Sequence, residues 1–201
     1  MKHIVGLMRP DRGTVIVDGH DIVAMPELDL QNFRKRFGIA FQNNALFDHL
    51  SVGENIAFPL RRLYKEMTED QIQERVANRL EAVALAGFQH RSPPSLSGGQ
   101  KRRVGVARAT VARPPILIYD EPAAGLDPVT SQKIFNLLKA EQGGATVLMV
   151  SSDLDRMLTV TDRVGMMLNG TIIFDGTTDE ARASTNAYVR QFVHGLTEGP
   201  L

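Results

Sequence analysis

Residues 116–121 read Ile-Leu-Ile-Tyr-Asp-Glu. The apolar run has no solvent-facing alternation, so it fits a strand buried on both faces of a parallel sheet. It ends in two acids, which places Asp120 and Glu121 at the carboxyl edge of the sheet, where α/β proteins bind ligands. There Asp120 can hold a magnesium ion through water, and Glu121 can orient or deprotonate an attacking water. The same residues also read as an Asp-Glu-Pro turn leaving a strand.

Upstream, Leu96-Ser97-Gly98-Gly99-Gln100 precedes a helix expected from about Gly99 to Ala112, which Pro114-Pro115 stops. Two glycines and a serine at a helix start expose amides, a hydroxyl and the positive end of the helix dipole, an anion site for a phosphate. The plainer reading is a flexible turn that caps a helix. Lys101-Arg102-Arg103 on the same helix read as a solvated face. Phe37 to Phe41 reads as a strand with Gln42 just beyond it, and Asp29 to Arg36 as a short helix. Lys2 to Leu7 reads as a helix end, and Thr14 to Val17 as a strand ending in the turn Asp18-Gly19. Ser51-Val-Gly-Glu54 and Thr68-Glu-Asp-Gln71 are capping boxes. The second opens a helix with Ile72, Val76, Leu80 and Val83 on one face, stopped by Gly87.

Downstream, Asp127-Pro128 caps a helix through Ile134, Leu137 and Leu138 that Gly143-Gly144 ends. Ala145 to Val150 reads as another buried strand, leading into Ser151-Ser152-Asp153. Val164 to Leu168, Asn169-Gly170 and Thr171 to Phe174 read as a hairpin, and two short helices close the chain. This alternation predicts an α/β fold with a mostly parallel sheet.

The chain has 201 residues and a mass of 22.2 kDa, the size of one domain. Hydrophobic residues make up 43% and charged residues 23%, which excludes a disordered tail, a collagen-like fibre and a coiled-coil rod. The 23 basic residues balance 23 acidic ones, so no net charge drives nucleic-acid binding. With no cysteine there are no disulfides, no thiol catalysis and no cysteine zinc site. The apolar runs fall short of the roughly 20 residues of a membrane helix. Met1 to Met8 is not a secretory signal, because Arg9-Pro10-Asp11 follows at once. His3, His20, His49, His90 and His194 lack metal-ligand spacing and read as solvated or capping. Met149, Met157, Met166 and Met167 read as core filler. A soluble, cytoplasmic chain is expected.

Taken in order, Gln42, Leu96 to Gln100, Ile116 to Glu121, Leu126-Asp127 and Ser151-Ser152-Asp153 give the whole chain its likeness. It resembles the nucleotide-binding domain of ATP-binding cassette (ABC) proteins. The resemblance makes Gln42 the Q-loop glutamine and Leu96 to Gln100 the signature. It makes Ile116 to Asp120 the Walker B strand, Glu121 the catalytic base and Asp127 the D-loop aspartate. Phe41-Gln-Asn-Asn-Ala-Leu-Phe47, Asn55-Ile-Ala-Phe-Pro-Leu60 and the ending Val189-Arg-Gln-Phe192 to Gly199-Pro200 are similar to one subfamily. These are the ATPases of phospholipid transport systems that work with MCE-domain proteins, the Mla type.

The resemblance implies a P-loop NTPase-like fold over 1–201, a helical subdomain at 43–95 facing a membrane permease, and a C-terminal helical tail at 178–201. It implies ATP and Mg2+ as cofactors, with Asp120 and Gln42 toward the metal. Ser97, Gly98, Gly99, Gln100 and Asp127 would face the nucleotide of a second cassette docked head to tail. Other implied partners are the permease and an MCE-domain lipid-binding protein, at the inner face of the cell membrane, with no nucleic acid.

Two features depart from the family pattern. Nowhere do these residues contain Gly-x-x-x-x-Gly-Lys-Ser/Thr, the loop that wraps phosphates in amides. Lys2 to Leu7 resembles the helix that this loop opens. The expectation is therefore a chain that starts inside that helix, lacking the preceding strands, with Met1 an internal methionine taken as a start. The missing strand is expected beside Ile116 to Tyr119, leaving that edge open as an aggregation hazard. The second departure is Ser152 where the family's switch histidine is expected; serine cannot carry the imidazole's charge. The chain by itself is expected not to hydrolyse ATP. The alternatives are a non-catalytic regulatory cassette subunit and a non-transport soluble ABC ATPase. The latter is disfavoured by the short interval between Q-loop and signature.

Overall fold

The computed structural model describes residues 1–201. Its first residues form a turn and not a helix. Leu7 N–H donates to Lys2 C=O and Gly6 N–H to His3 C=O, with Gly6 at φ +66°. That pair of bonds is the one that closes helices, but the left-handed glycine turns the chain before any ladder builds. The expected strand at Thr14 shortens to β1 (Ile16–Val17), which pairs with β2 (His20–Asp21) across Asp18-Gly19. Helix α1 (Glu27–Arg34) starts two residues earlier than expected, because Pro26 supplies its entry, and it buries Leu30 and Phe33.

Next come β3 (Phe37–Ala40), α2 (Val52–Leu63), α3 (Glu69–Ala82), a 3₁₀ turn at Pro93–Ser95, and α4 (Gly98–Thr110). Both expected capping boxes form, at Ser51 with Glu54 and at Thr68 with Gln71. Helix α3 does not run to Gly87. Ala84, at φ +55°, ends it: its N–H bonds Glu81 C=O while Leu85 N–H bonds Leu80 C=O. The rest of the chain is β4 (Ile116–Asp120), α5 (Pro128–Glu141), β5 (Thr146–Val150), α6 (Leu154–Val160), β6 (Arg163–Leu168), β7 (Thr171–Thr177), α7 (Thr178–Arg182) and α8 (Ala187–His194).

The site is positioned by a three-stranded parallel sheet in the order β3-β4-β5. Strand β4 is central, so the edge of Ile116 to Tyr119 expected to lie open is paired on both sides. The unpaired edges belong to β3 and β5, and β5 is half-exposed, not buried as expected, with Val150 at 45%. The hazard of an open edge therefore sits on β3 and β5. Sheet β6-β7 is antiparallel, and Met167 on it points to solvent, so this methionine is not core filler. Gly38 lets β3 lie against α4: a Cβ there would come within 2.1 Å of the Ala109 carbonyl oxygen.

Two cores flank this sheet region. One gathers Val52, Ile56, Leu60, Ile72, Val76 and Leu80 of α2 and α3 against Val104 and Ala107 of α4. The other packs Leu117 and Tyr119 of β4 on Ile134 and Leu138 of α5. Helix α5 is tied at its far end to α3 by a largely buried ion pair between Glu141 and Arg79.

The loop before α2 hangs on one buried side chain. Asn55 Oδ1 accepts from Phe47 N–H at 2.8 Å, and Nδ2 lies at 3.0–3.2 Å from the Phe47, Leu50 and Ser51 carbonyls. Truncation strands the Phe47 N–H and the Leu50 C=O, while the Phe47 and Ser51 carbonyls keep the Leu50 and Asn55 amides, at about 1–3 kcal/mol for each buried group stranded. Asn55→Ala is expected to lower the unfolding free energy by about 2 kcal/mol or more. A chemical denaturation midpoint equal to wild type would contradict this.

Candidate active site

Parallel register brings three chain exits to one edge. Ala40 aligns with Tyr119 and Tyr119 with Met149, while Asp120 aligns with Val150. Gln42, the Asp120-Glu121 pair and Ser152 therefore all leave from the carboxyl end of the sheet. Glu121 takes a left-handed backbone, φ +46°, and is followed by Pro122. Such a conformation costs of order 1–3 kcal/mol in a non-glycine residue and persists only where neighbours hold it. Its N–H donates to Val150 C=O at 2.9 Å, and its C=O accepts from Ala124 N–H at 3.2 Å. Ser152 Oγ donates to Glu121 Oε2 at 3.1 Å. Beside this bond is a cleft of about 290 Å³, lined by Glu121, Gly125, Ser131, Ser152, Asp153 and Arg156.

Asp120 is half-buried, whereas Gln42 is exposed and hydrogen-bonds to neither acid. No cluster of three or more His, Asp or Glu side chains forms anywhere in the chain. The side-chain oxygens of Asp120 and Gln42 are of the type magnesium takes, too few by themselves to complete its shell. The remainder fits water and nucleotide phosphates, the usual source of ligands for this ion.

The signature residues lie at the start of α4. Ser97 Oγ accepts from Gln100 N–H at 3.3 Å, and Gln100 Oε1 accepts from Ser97 N–H at 2.9 Å. The capping role is therefore real, and it leaves the Ser97 hydroxyl proton free to donate outward. Ser97 and Gly98 are exposed. Gly99 must be small: a Cβ there would meet Thr130 Cγ2 at 2.9 Å, and one at Gly98 would meet Leu126 Cδ2 at 3.6 Å. The start of α4 thus packs on the start of α5. Asp127 caps α5, its Oδ1 accepting from Val129 N–H at 3.0 Å and Thr130 N–H at 2.9 Å. No hydrogen bond joins the signature to Asp120, Glu121 or Ser152.

Sequence reasoning missed a set of arginines. Lys101-Arg102-Arg103 is half-buried, not a solvated face. Arg102 Nη2 donates to Ala124 C=O at 3.0 Å, while Nη1 reaches Asn44 Oδ1 at 3.4 Å and Phe41 C=O at 3.5 Å. Arg108 holds the Asn44 and Ala45 carbonyls at 2.6 and 2.7 Å. Burial pulls both guanidiniums below their ordinary values, and for Arg102 the Glu121 carboxylate opposes that fall. Most of the acceptors are carbonyls of loops some sixty positions earlier in the chain, so no local pattern announces them.

A family model described as ABC transporter matches residues 1–124. The chain belongs to the ABC transporter family. Across all of its length the cassette is 36% identical to the probable ribonucleotide transport ATP-binding protein mkl of Mycobacterium leprae, of which it spans 58%. It is 35% identical to the intermembrane phospholipid transport system ATP-binding protein MlaF of Haemophilus influenzae, again over all of its own length and 76% of that protein's. Among solved structures, the ATP-binding cassette MJ0796, in a dimeric post-hydrolysis state bound to ADP and Pi, superposes with a TM-score of 0.80. The identity is 30%, over 88% of this chain and 78% of the other.

Hydrogen bonds to Thr130 hold the Asp127 carboxyl below the usual carboxylate range, and those from Ser51 do the same for Glu54. A depressed folded-state value adds stability above the unfolded value, and that stability is lost as pH falls through the folded value. Thermal midpoints are therefore expected to drop below about pH 4. Asp127→Asn keeps an acceptor but no charge, and should lose less over that window. Parallel pH profiles for the two proteins would contradict this.

Proposed function

We propose that this cassette powers phospholipid movement through a separate membrane permease, working as one half of a head-to-tail pair. The observation that carries the proposal is the exposed start of α4, packed on the start of α5 at Asp127. Such a surface supplies half of a nucleotide site, and the dimeric relative with ADP and Pi supports that reading. The phospholipid assignment draws on the relative named for intermembrane phospholipid transport. Ribonucleotide, the cargo named for the mycobacterial relative, is the second reading, carried by its 36% identity.

In the composite site the Ser97 hydroxyl and the Gly98 and Gly99 amides donate hydrogen bonds to phosphate oxygens, aided by the α4 dipole. At the other nucleotide of the pair, the one on this chain's own sheet edge, Glu121, aligned by Ser152, takes the proton of an attacking water. Ser152 orients that carboxylate but brings no positive charge, so turnover at its own site is slow. Magnesium arriving with ATP would be held through Asp120 and Gln42 and would neutralise phosphate charge.

The permease would meet the helical segment 43–95. A groove of about 500 Å³ opens there between α1, β3, α2 and α4, with Phe41, Phe47 and Phe58 along it. Arg34, Lys35, Arg62 and Arg108 line it, and no carboxylate does. That chemistry fits an apolar segment carrying acids; on this reading the cassette works at the cytoplasmic side of the membrane, with an MCE-domain protein further along the path.

The 201-residue chain alone is expected to show no magnesium-dependent ATP turnover. Mixed with a cassette that keeps its phosphate loop but has a disabled signature, it should raise turnover at least about tenfold by completing the oxyanion-binding half. Gly99→Asp should abolish the rise. Turnover by the chain alone, or no rise on mixing, counts against the reading. Arg62→Glu should reduce co-purification with a multi-spanning membrane protein; co-purification with ribosomes or DNA instead would mark a non-transport ATPase.

A further inference from the structure

We propose that Arg102 is a positioning residue that holds the strained turn of Glu121 and ties it to the signature helix; this rests on reading Glu121 as the base. The strain has to be held by something. Behind Glu121, its N–H is bonded to Val150; ahead, its C=O is bonded to Ala124 N–H. Ala124 is in turn gripped from its other side, where its carbonyl takes Arg102 Nη2 at 3.0 Å. The residue that restrains Glu121 is thereby fixed to α4, one helical turn beyond Gly98.

The other arm of the guanidinium reaches Phe41 C=O and Asn44 Oδ1, the residues that bracket Gln42. One side chain thus bridges the Gln42 segment, the Glu121 turn and the signature helix. None of the ion pairs in the structure involves Arg102. A half-buried guanidinium without a carboxylate partner is costly to keep for charge alone. What it supplies is a planar fork with donors directed to two separated acceptors, which a lysine ammonium cannot span.

The consequence concerns communication. In a head-to-tail pair, the signature of a chain and its Glu121 face different nucleotides. Through Arg102 they move as one body, so engagement of the signature by one nucleotide sets the base that faces the other.

The test uses the full chain without nucleotide, reading amide hydrogen exchange by NMR in wild type, Arg102→Ala and Arg102→Lys. The Ala124 amide should exchange at least about tenfold faster in both variants, while Val76 and Leu80 of α3 keep wild-type protection. Methylguanidinium at about 20 mM should restore protection in Arg102→Ala, because it refills the vacated fork. Unchanged Ala124 exchange in either folded variant overturns the proposal. So does full protection in Arg102→Lys, which would make charge rather than the fork the cause, and so does a failure of methylguanidinium to restore protection. The readout needs no ATP. Absence of turnover in the mixed-cassette assay would count against the functional reading and leave the clamp standing.

Discussion

Strand β4 is hydrogen-bonded along both edges, and the site depends on that pairing. Parallel strands in register end together, so the sheet acts as a jig that delivers Gln42, Asp120-Glu121 and Ser152 to one rim. The apolar run 116–119 makes this possible, since only a strand without a solvent face can be covered by helices and flanked by strands at once. Where β4 stops, its last residues turn sharply, and the left-handed backbone of Glu121 aims its carboxylate at Ser152.

Around that rim the same economy of polar groups recurs. Ser97 accepts a bond to close its own helix and keeps a proton to give away. Asp127 does the converse, holding two amides with one oxygen. The arginines of α4 are directed chiefly at backbone carbonyls of loops, so the start of the helix faces outward while its flank secures the loops that carry Gln42 and Glu121. Stability and chemistry are therefore built from the same bonds.

Much of this was legible in the sequence because it is local. The boxes at Ser51 and Thr68, the Asp127 cap, the hairpin after Leu168 and the buried strand 116–119 all follow from residues within a few positions of one another. Where the reading failed, the deciding partner was distant or the rule was loosely obeyed. Ala84 adopted a left-handed turn usually given to glycine and ended α3 early. Strand order placed β3 and β5, not β4, at the open edges, and no local pattern encodes strand order. A basic triplet looked solvated because its carbonyl acceptors, Phe41 and Ala124 for Arg102 and Val83 for Arg103, are remote in sequence. For the candidate site, residue identities were readable and their mutual arrangement was not: the bond from Ser152 to Glu121 spans 31 positions.

Helix α5 adds a second link between α3 and the signature, which already meet through Leu96 and the flank of α4. Its 14 residues make a rod of about 21 Å. At one end Leu126 and Thr130, on either side of the Asp127 cap, lie against the signature glycines; at the other Glu141 pairs with Arg79 on α3. A rod clamped at both ends does not absorb displacement; it passes it on. A tilt imposed on α3 would therefore be passed along α5 to the Asp127 turn, which makes the helix a pushrod between two faces of the molecule.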